Sequence, residues 1–291
     1  MARSSIHTGG AGDSPEPRRS VSAARVTAVR DGLPAERPDR LATEEPMEIQ
    51  VRGPGQDAVS VAVTMRTPGH DFELAAGFLW TEGLIHDRDE IESVRYCDTD
   101  VPEQRYNVVT VRTSRAFDQG DVTRNFYATS SCGVCGKASI DQVEVACSSL
   151  PPGPAIARST LIGLPDALRQ AQRVFEETGG LHAAGLFDVD GRMLALREDV
   201  GRHNAVDKLV GWALLDGSLP LSERVLHVSG RVSFEIVQKA AMAGIPIVAA
   251  VSAPSSLAVE TAERLGMTVV GFLRGPSFNV YTRPERIDLT D

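Results

Sequence analysis

The stretch VLHVSGRVSFEIVQKAAMAGIPIVAAVSAPSSLAVETAERLGMTVVGFL, residues 225–273, decides the fold of this 291-residue chain. It consists of three short apolar runs separated by two segments whose apolar residues recur at helical spacing. The apolar runs predict strands at 225–228, 247–251 and 268–273, and the segments between them predict helices at 233–243 and 256–265. Because apolar strands that alternate with helices are typical of parallel βαβ units, the stretch predicts a parallel sheet covered on both faces.

The residues before this stretch extend the same domain. The predicted elements are a helix at 160–178, strands at 183–187 and 193–196 around the hairpin dipeptide Asp190-Gly191, and a helix at 204–215. Glycines at 179 and 180 are typical of a helix end, and Asp-Gly is a strong hairpin signal. The fold class predicted is α/β, with a three-layer α/β/α C-terminal domain that contains a mixed sheet at residues 155–291.

The N-terminal half predicts three further regions. Residues 1–46 are rich in Arg, Pro, Gly, Ser and Ala, which is typical of a disordered tail, with room for one strand near 26–29. Residues 47–117 combine alternating strand patterns with a helical pattern at 70–80 and predict a smaller α+β domain. Residues 118–154 contain many small residues and predict a long, flexible connecting loop.

Composition limits the classes of function. The net charge of −9 argues against nonspecific binding of nucleic acid, although a local basic pocket is compatible with it. No apolar run is long enough to span a membrane, and the N-terminal region lacks the apolar core of a signal peptide. We therefore expect a cytoplasmic protein that binds neither nucleic acid nor membrane.

The predicted loop contains the chain's most reactive pattern, Cys132-Gly133-Val134-Cys135-Gly136, followed by Lys137. Two thiols at this spacing can reach one acceptor, one metal ion or each other. The adjacent ammonium group favours the thiolate form, which is the nucleophile in sulfur chemistry. Cys132 and Cys135 are therefore the predicted catalytic residues.

Three strand ends of the predicted sheet lead into polar turns. Because ligands of open parallel sheets collect at the carboxyl ends of the strands, these turns predict an anion-binding edge. The candidate residues are Ser229, Gly230 and Arg231 after the first strand, Ser252 after the second, and Arg274, Gly275, Pro276 and Ser277 after the third. The charged run at 197–204 could form a wall of the site through His203, or it could be a solvated turn in which Asn204 caps a helix. His182 is open to the same two interpretations.

These residues together resemble the formate dehydrogenase accessory sulfurtransferase family, FdhD/NarQ. The resemblance covers most of the chain from about residue 50 and lies in these segments: RNFYATSSCGVCGKASI, TGGLHAA, REDVGRHNAVDKLVG, SGRVSFEIVQKAAMAGIPI, AVSAPSSLAVETAERLGMTVVGFLRG and FNVYTRPERI. CxxC alone is common, whereas CxxC followed by these long blocks in this order is specific.

The resemblance implies a cytoplasmic homodimer whose C-terminal domain has the cytidine deaminase-like fold. It implies that a cysteine desulfurase donates sulfane sulfur, and that Cys132 holds it as a persulfide. The acceptor would be the molybdenum cofactor in its bis-molybdopterin guanine dinucleotide form, matured for formate dehydrogenase, with no metal bound as the protein's own. The corresponding cofactor-binding stretch is Phe272-Leu273-Arg274-Gly275-Pro276-Ser277.

Other functions compete with this interpretation. A structural zinc site could use the four cysteines, although one CxxC with two outliers, Cys97 and Cys147, lacks paired-knuckle spacing. A deaminase would need an H-x-E element before P-C-x-x-C, and neither His182 nor His203 has Glu two positions later. A thioredoxin-type reductase would need its CxxC at the start of a helix that follows a strand, and the sequence predicts no such arrangement around this CxxC. A cofactor chaperone that uses the cysteines only for docking is the strongest rival.

Overall fold

The computed structural model describes residues 7–8, 19–97, 106–118 and 149–291. Its helices are α1 (Asp71–Thr81), α2 (Arg158–Ala171), α3 (Arg173–Thr178), α4 (Arg202–Asp216), α5 (Phe234–Met242) and α6 (Ser256–Arg264). Its strands are β1 (His7–Thr8), β2 (Val21–Arg30), β3 (Leu33–Ala42), β4 (Glu45–Arg52), β5 (Val59–Arg66), β6 (Ile91–Tyr96), β7 (Val108–Thr113), β8 (Ile156–Ala157), β9 (His182–Phe187), β10 (Met193–Asp199), β11 (Val225–Val228), β12 (Ile247–Ala250), β13 (Thr268–Arg274), β14 (Ser277–Thr282) and β15 (Ile287–Asp288).

The C-terminal sheet has the order β10-β9-β11-β12-β13-β14. β11, β12 and β13 are parallel, whereas β9 and β14 run antiparallel to their neighbours. The mixed α/β class is therefore confirmed. Every element predicted within residues 225–273 is present with bounds shifted by at most one residue, because the apolar runs are short and end in clear turn residues.

Alternate side chains of this sheet enter two separate cores. Leu226 and Val248 pack with α4, α5 and α6, whereas Val225 and Ile247 pack with α2 on the opposite face. This alternation follows from the two-residue period of a strand. Helices thus cover both faces, as continuous apolar strands require.

The predicted helix at 160–178 is interrupted in the structure. Gln172 has φ −76° and ψ 84°, so the chain leaves the helical conformation between α2 and α3. The interruption exposes the first N–H groups of α3, and Glu198 accepts from Val174 at 3.1 Å and from Phe175 at 2.8 Å. The break between α2 and α3 therefore involves a carboxylate that is distant in sequence and caps α3, so the local apolar periodicity does not predict it.

The N-terminal sheet has the order β1-β6-β7-β4-β5, and α1 packs on it. The other face of α1 lies against α4, which joins the two halves of the protein. Their backbones meet at Gly77 and Gly211: a Cβ at Gly77 would collide with the carbonyl oxygen of Asp207, and one at Gly211 with that of Glu73. Only glycine permits an approach this close.

Residues 21–42 differ from the predicted disordered tail. β2 and β3 pair in continuous antiparallel register from Val21↔Ala42 to Arg30↔Leu33. Asp31 and Gly32 form the turn with φ of 51° and 80°, the positive values that a type I′ hairpin turn requires. The dipeptide Asp31-Gly32 is a hairpin signal in the sequence. The residues on both sides of it are rich in Arg and Pro, which is typical of a disordered segment and favoured the wrong prediction. The other domain boundaries remain predictions, and residues 119–148 of the predicted loop lie outside the described residues.

No helix in the described ranges is both long and apolar enough to cross a membrane.

The buried histidine of β11 makes stability depend on pH. His227 is fully buried, its Nδ1 lies 3.1 Å from the Ala249 oxygen, and burial lowers its pKa from 6.5 to about 4. Between these values the unfolded chain binds the proton and the folded chain does not, so stability falls as pH falls. We expect the free energy of unfolding to drop by about 3 kcal/mol between pH 6.5 and 4 from this group.

Urea titrations across that pH range measure the effect. In His227→Leu the free energy of unfolding should depend less steeply on pH, because the contribution of His227 is lost. His86→Gln replaces an exposed histidine and should keep the pH dependence of the unsubstituted protein. Equal slopes in His227→Leu and the unsubstituted protein would refute the assignment.

Candidate functional site

Four strand ends meet at one edge of the C-terminal sheet. β10 and β11 are both antiparallel to β9, so β10 points the same way as the parallel strands β11, β12 and β13. The turns that follow β10, β11 and β12 lead into α4, α5 and α6, respectively. The charged run at 197–204 therefore shares an edge with the predicted anion-binding turns.

The turns after β11 and β12 are joined to each other. Val232 and Pro254 form a parallel bridge, in which Val232 N donates to Ala253 O at 3.2 Å and Ser255 N donates to Val232 O at 2.9 Å. Ser229 Oγ accepts from Ala183 N at 2.8 Å, which attaches the first turn to β9. A hydroxyl that accepts one bond can still donate to a ligand. The structure thus brings Ser229, Gly230, Arg231 and Ser252 onto one edge whose turns are hydrogen-bonded to each other and to β9.

The third predicted turn has a different geometry. Arg274 pairs with Ser277 in the antiparallel ladder of β13 and β14, and Gly275 between them has φ of 53°. Residues 274–277 are therefore a hairpin turn between β13 and β14, whereas the first two turns lead into helices. The Nε of Arg274 donates to Val251 O at 2.9 Å, which holds this turn beside the end of β12.

Phe272 has the clearest backbone strain at this edge. Its φ is 53°, an uncommon value for a bulky residue, and it lies in an irregularity of the β13–β14 register. Its N–H donates to Ser252 O at 3.2 Å, and it is 42% exposed. By contrast, the Leu273 side chain is fully buried in the core, so Leu273 can offer a ligand only its backbone. Residues with backbone strain of this kind cluster at active sites and ligand sites.

A cluster of basic side chains borders the turn after β11. A Cβ placed on Gly230 would lie 3.4 Å from His182 Nδ1 and 3.8 Å from Arg202 Cδ. His203 Nε2 lies 3.2 Å from Ser233 Oγ and 3.8 Å from Glu235 Oε2. The sequence predicts His203 as a site residue and leaves His182 open to two interpretations. It gives no signal for Arg202, because only the return of β9 beside β11 brings these side chains together.

The imidazoles of this cluster are held neutral. Burial, and then the positive charge of Arg202, lower the pKa of His182. The same two causes, with smaller contributions from Lys239 and His182, lower the pKa of His203 to about 4 against the opposing charge of Glu235. At neutral pH each ring is therefore uncharged, with one nitrogen that can donate and one that can accept.

A buried ion pair fixes the start of α4. Lys208 Nζ lies 2.6 Å from Asp199 Oδ2, and both side chains are buried. Asp199 also accepts from Gly201 N at 2.8 Å and from Asn204 Nδ2 at 3.0 Å, while Lys208 Nζ donates to Thr67 O at 2.8 Å. The charged run is thus largely an internal support for Arg202 and His203 and not a solvated turn.

The predicted catalytic residues Cys132 and Cys135 lie outside the described residues, as do Lys137 and Cys147. Cys97 is half-buried just after β6. Within residues 7–8, 19–97, 106–118 and 149–291, no group of three His, Cys, Asp or Glu side chains could hold a metal ion. The zinc interpretation depends on residues beyond those ranges, so it stays untested.

Known proteins match this chain along most of its length. The model of the FdhD/NarQ family matches residues 42–288. A protein of Mycolicibacterium paratuberculosis named sulfur carrier protein FdhD is 56% identical over 273 residues, which cover 92% of this chain and 98% of that protein. A protein of the same name from Streptomyces avermitilis is 55% identical over 273 residues, covering 91% and 95%. The crystal structure of a proposed formate dehydrogenase accessory protein from Desulfotalea psychrophila has a TM-score of 0.71 and 25% identity, covering 93% of this chain and all of that one.

Proposed function

The chain belongs to the FdhD/NarQ family, and from that premise we propose that it is a sulfurtransferase. It takes sulfane sulfur from a cysteine desulfurase, carries it as a cysteine persulfide and delivers it to the molybdenum cofactor. The acceptor is the bis-molybdopterin guanine dinucleotide form, and formate dehydrogenase is the client. The shared name "sulfur carrier protein" of its relatives supports the carrier role.

The sulfur step needs one nucleophile and no metal of the protein's own. The Cys132 thiolate attacks the terminal sulfur of the donor's persulfide, a new S–S bond forms at Cys132, and the donor cysteine leaves as thiolate. No net oxidant or reductant enters this exchange. Lys137, five residues along, favours the thiolate form that starts it. Cys135, three residues after Cys132 in the sequence, would relay or release the sulfur.

The observation that carries the acceptor assignment is the cationic edge of an otherwise acidic protein. The chain has a net charge of −9, yet Arg202, Arg231 and Arg274 all lie at the edge formed by the strand ends. The guanine dinucleotide ends of the acceptor carry phosphates, which such an edge binds through charge-assisted hydrogen bonds. The residues present thus fit the group, with Phe272 available to stack on a guanine base.

The finer architecture and assembly are part of the proposal. Helices on both faces of the C-terminal sheet support the three-layer, cytidine deaminase-like description. We also propose that the protein is a cytoplasmic homodimer.

Phe272 provides a test of nucleotide binding with GDP as the probe. Removing a stacked aromatic ring costs about 1–3 kcal/mol per base, so Phe272→Ala should weaken GDP binding by about tenfold or more in calorimetric titrations. Phe272→Tyr keeps the ring and should bind normally. Phe272→Gly should lose affinity while gaining stability, because glycine adopts a φ of 53° without strain. Absence of GDP binding to the unsubstituted protein would defeat the acceptor assignment.

A further inference from the structure

A cleft lies at the opposite end of the C-terminal sheet from the strand ends described above. β12 and β13 begin there, and β14 ends there at Thr282. The cleft has a volume of about 300 Å³, and its lining includes Ser149, Gly153, Gly266, Arg283, Glu285 and Arg286. We call it the amino-end cleft. A volume of this size is enough for a small molecule.

Two glycines keep the amino-end cleft open. Gly266 has φ of 71°, and a Cβ placed on it would lie 3.4 Å from Ser149 Oγ. A Cβ on Gly153 would lie 2.8 Å from the Pro246 side chain and 3.2 Å from Arg286 Nε. A larger residue at position 153 would therefore press on the guanidinium of Arg286, and glycine leaves room beside it.

Arg286 is a buried arginine that uses only part of its donor capacity. Its side chain belongs to a residue that is 8% exposed, and its Nη1 donates to Gly266 O at 2.8 Å and to Thr268 Oγ1 at 3.2 Å. Its Nε and Nη2 donate to no described residue. Burial lowers the pKa of Arg286, and the charges of Glu285 and Arg283 act on it with opposite signs. The guanidinium is thus fixed on one side and available on the other.

Arg283 lines the same cleft from a strained backbone position. Its φ is 48° and its ψ is 59°, although Pro284 follows it and a residue before proline favours an extended conformation. Its Nε is buried and donates to no described residue, since Glu263 Oε1 lies 3.5 Å away without accepting a hydrogen bond. Backbone strain of this kind clusters at functional sites, and a buried donor without an acceptor is costly to the fold. Both features suggest a ligand that completes the site.

The charged groups that line the amino-end cleft are two guanidiniums and one carboxylate. Arg283 precedes the short helical turn Pro284–Arg286 and Arg286 ends it, while Glu285 between them is exposed. Glu263 contacts Arg283 from α6 and is not part of the lining. Two positive charges that act on each other are relieved by an anion between them. Carboxylate and phosphate groups are the anions whose geometry matches a guanidinium.

We propose that the amino-end cleft is a binding site for a small organic anion, whose carboxylate or phosphate group is held between Arg283 and Arg286. Ser149 contributes a hydroxyl to the lining. Glu285 favours a ligand that carries a hydroxyl or ammonium donor beside its anionic group. The site goes beyond the proposed sulfur transfer and is separate from the edge that we propose binds the nucleotide.

Calorimetric titrations of the full-length protein with citrate and with inorganic phosphate test the site, at an ionic strength held constant with chloride. We expect binding, and the tighter of the two anions identifies the preferred group. Arg283→Asn should weaken it by about tenfold or more, because charge-assisted hydrogen bonds are lost. Asparagine tolerates positive φ, so this variant should fold. Glu285→Gln removes a negative charge from the lining and should strengthen binding.

Arg192→Gln is the matched control, since it replaces an exposed arginine in the turn between β9 and β10. It should bind both anions as the unsubstituted protein does. Modification by phenylglyoxal, which reacts with accessible arginines, gives a second measurement that needs no variant. The bound anion should slow the modification of Arg283 and leave that of Arg192 unchanged, as measured by mass spectrometry of the peptides.

The outcomes separate this site from the proposed function. Anion binding that depends on Arg283 would stand even if the protein failed to bind GDP. Binding of neither anion, binding that Arg283→Asn leaves unchanged, or an equal loss in Arg192→Gln would overturn the site. Displacement of the anion by GDP would assign it to the opposite edge of the sheet, with the same consequence. Thermal unfolding of each variant verifies that the protein titrated is folded.

Discussion

Cys132→Ala is expected to lower formate dehydrogenase maturation by at least about a thousandfold, because it removes the nucleophile that we propose holds the transferred sulfur. The same variant should bind GDP with unchanged affinity, since the edge that we propose binds the nucleotide is built from β10 to β14 and their turns. The measurement is formate dehydrogenase activity in cells that lack the native carrier and express each variant, together with GDP titration of the purified protein.

Cys97→Ala is the matched control, because it removes a thiol from the end of β6, outside the CxxC pair. It should support normal maturation. Cys135→Ala tests the relay: retained persulfide with lost maturation would assign the release step to Cys135. Full maturation by Cys132→Ala would instead favour a chaperone that only binds and presents the cofactor.

Gly211→Ala is expected to lower the free energy of unfolding by about 3 kcal/mol, the upper part of the range for overpacked sites. The added Cβ would collide with the backbone carbonyl of Glu73, and a backbone atom within a helix cannot rotate away. α1 and α4 would have to separate, which also strains the buried contacts among Thr81, Asp207 and Lys239, with Lys239 Nζ 3.0 Å from Asp207 Oδ1.

Gly163→Ala is also a glycine-to-alanine change in a helix, but it is expected to raise the free energy of unfolding. Gly163 is in the middle of α2, and apart from its chain neighbours and the backbone of its own helix no described atom lies within 4 Å of a Cβ built there. Alanine is favoured over glycine in a helix by about 1 kcal/mol, so this variant should be more stable. Urea unfolding measures both changes. Stabilisation of both variants would show that α1 and α4 do not pack through a glycine contact.

The fold of the C-terminal domain was predictable because its determinants are local. Apolar runs of strand length, helical spacing and clear turn residues fix each element between 225 and 273 without knowledge of the rest. The interruption at Gln172 was not predictable in this way, since the carboxylate that caps α3 comes from Glu198 on β10. The β2–β3 hairpin is a different case. Asp31-Gly32 is a local signal for its turn, but the composition of the residues on either side is typical of a disordered segment.

The site was predictable only in part, for a topological reason. Residues that directly follow parallel strands share an edge, so Ser229, Arg231 and Ser252 could be grouped from the sequence. Arg202 reaches the same edge only because β9 reverses direction between β10 and β11. The sequence does not distinguish a solvated from a buried arrangement of the charged residues at 197–204. The ion pair between Asp199 and Lys208 is visible only in the folded structure.

The central proposal is that Cys132 carries sulfur as a persulfide, and mass spectrometry of the protein after incubation with a cysteine desulfurase and cysteine tests it most directly. We expect the intact mass to increase by one sulfur atom, the added atom to map to the peptide containing Cys132, and a reductant to remove it. Cys132→Ala should show no such increase, while Cys97→Ala should show it fully. An unchanged mass in the unsubstituted protein, with a desulfurase shown to be active on another acceptor, would contradict the proposal.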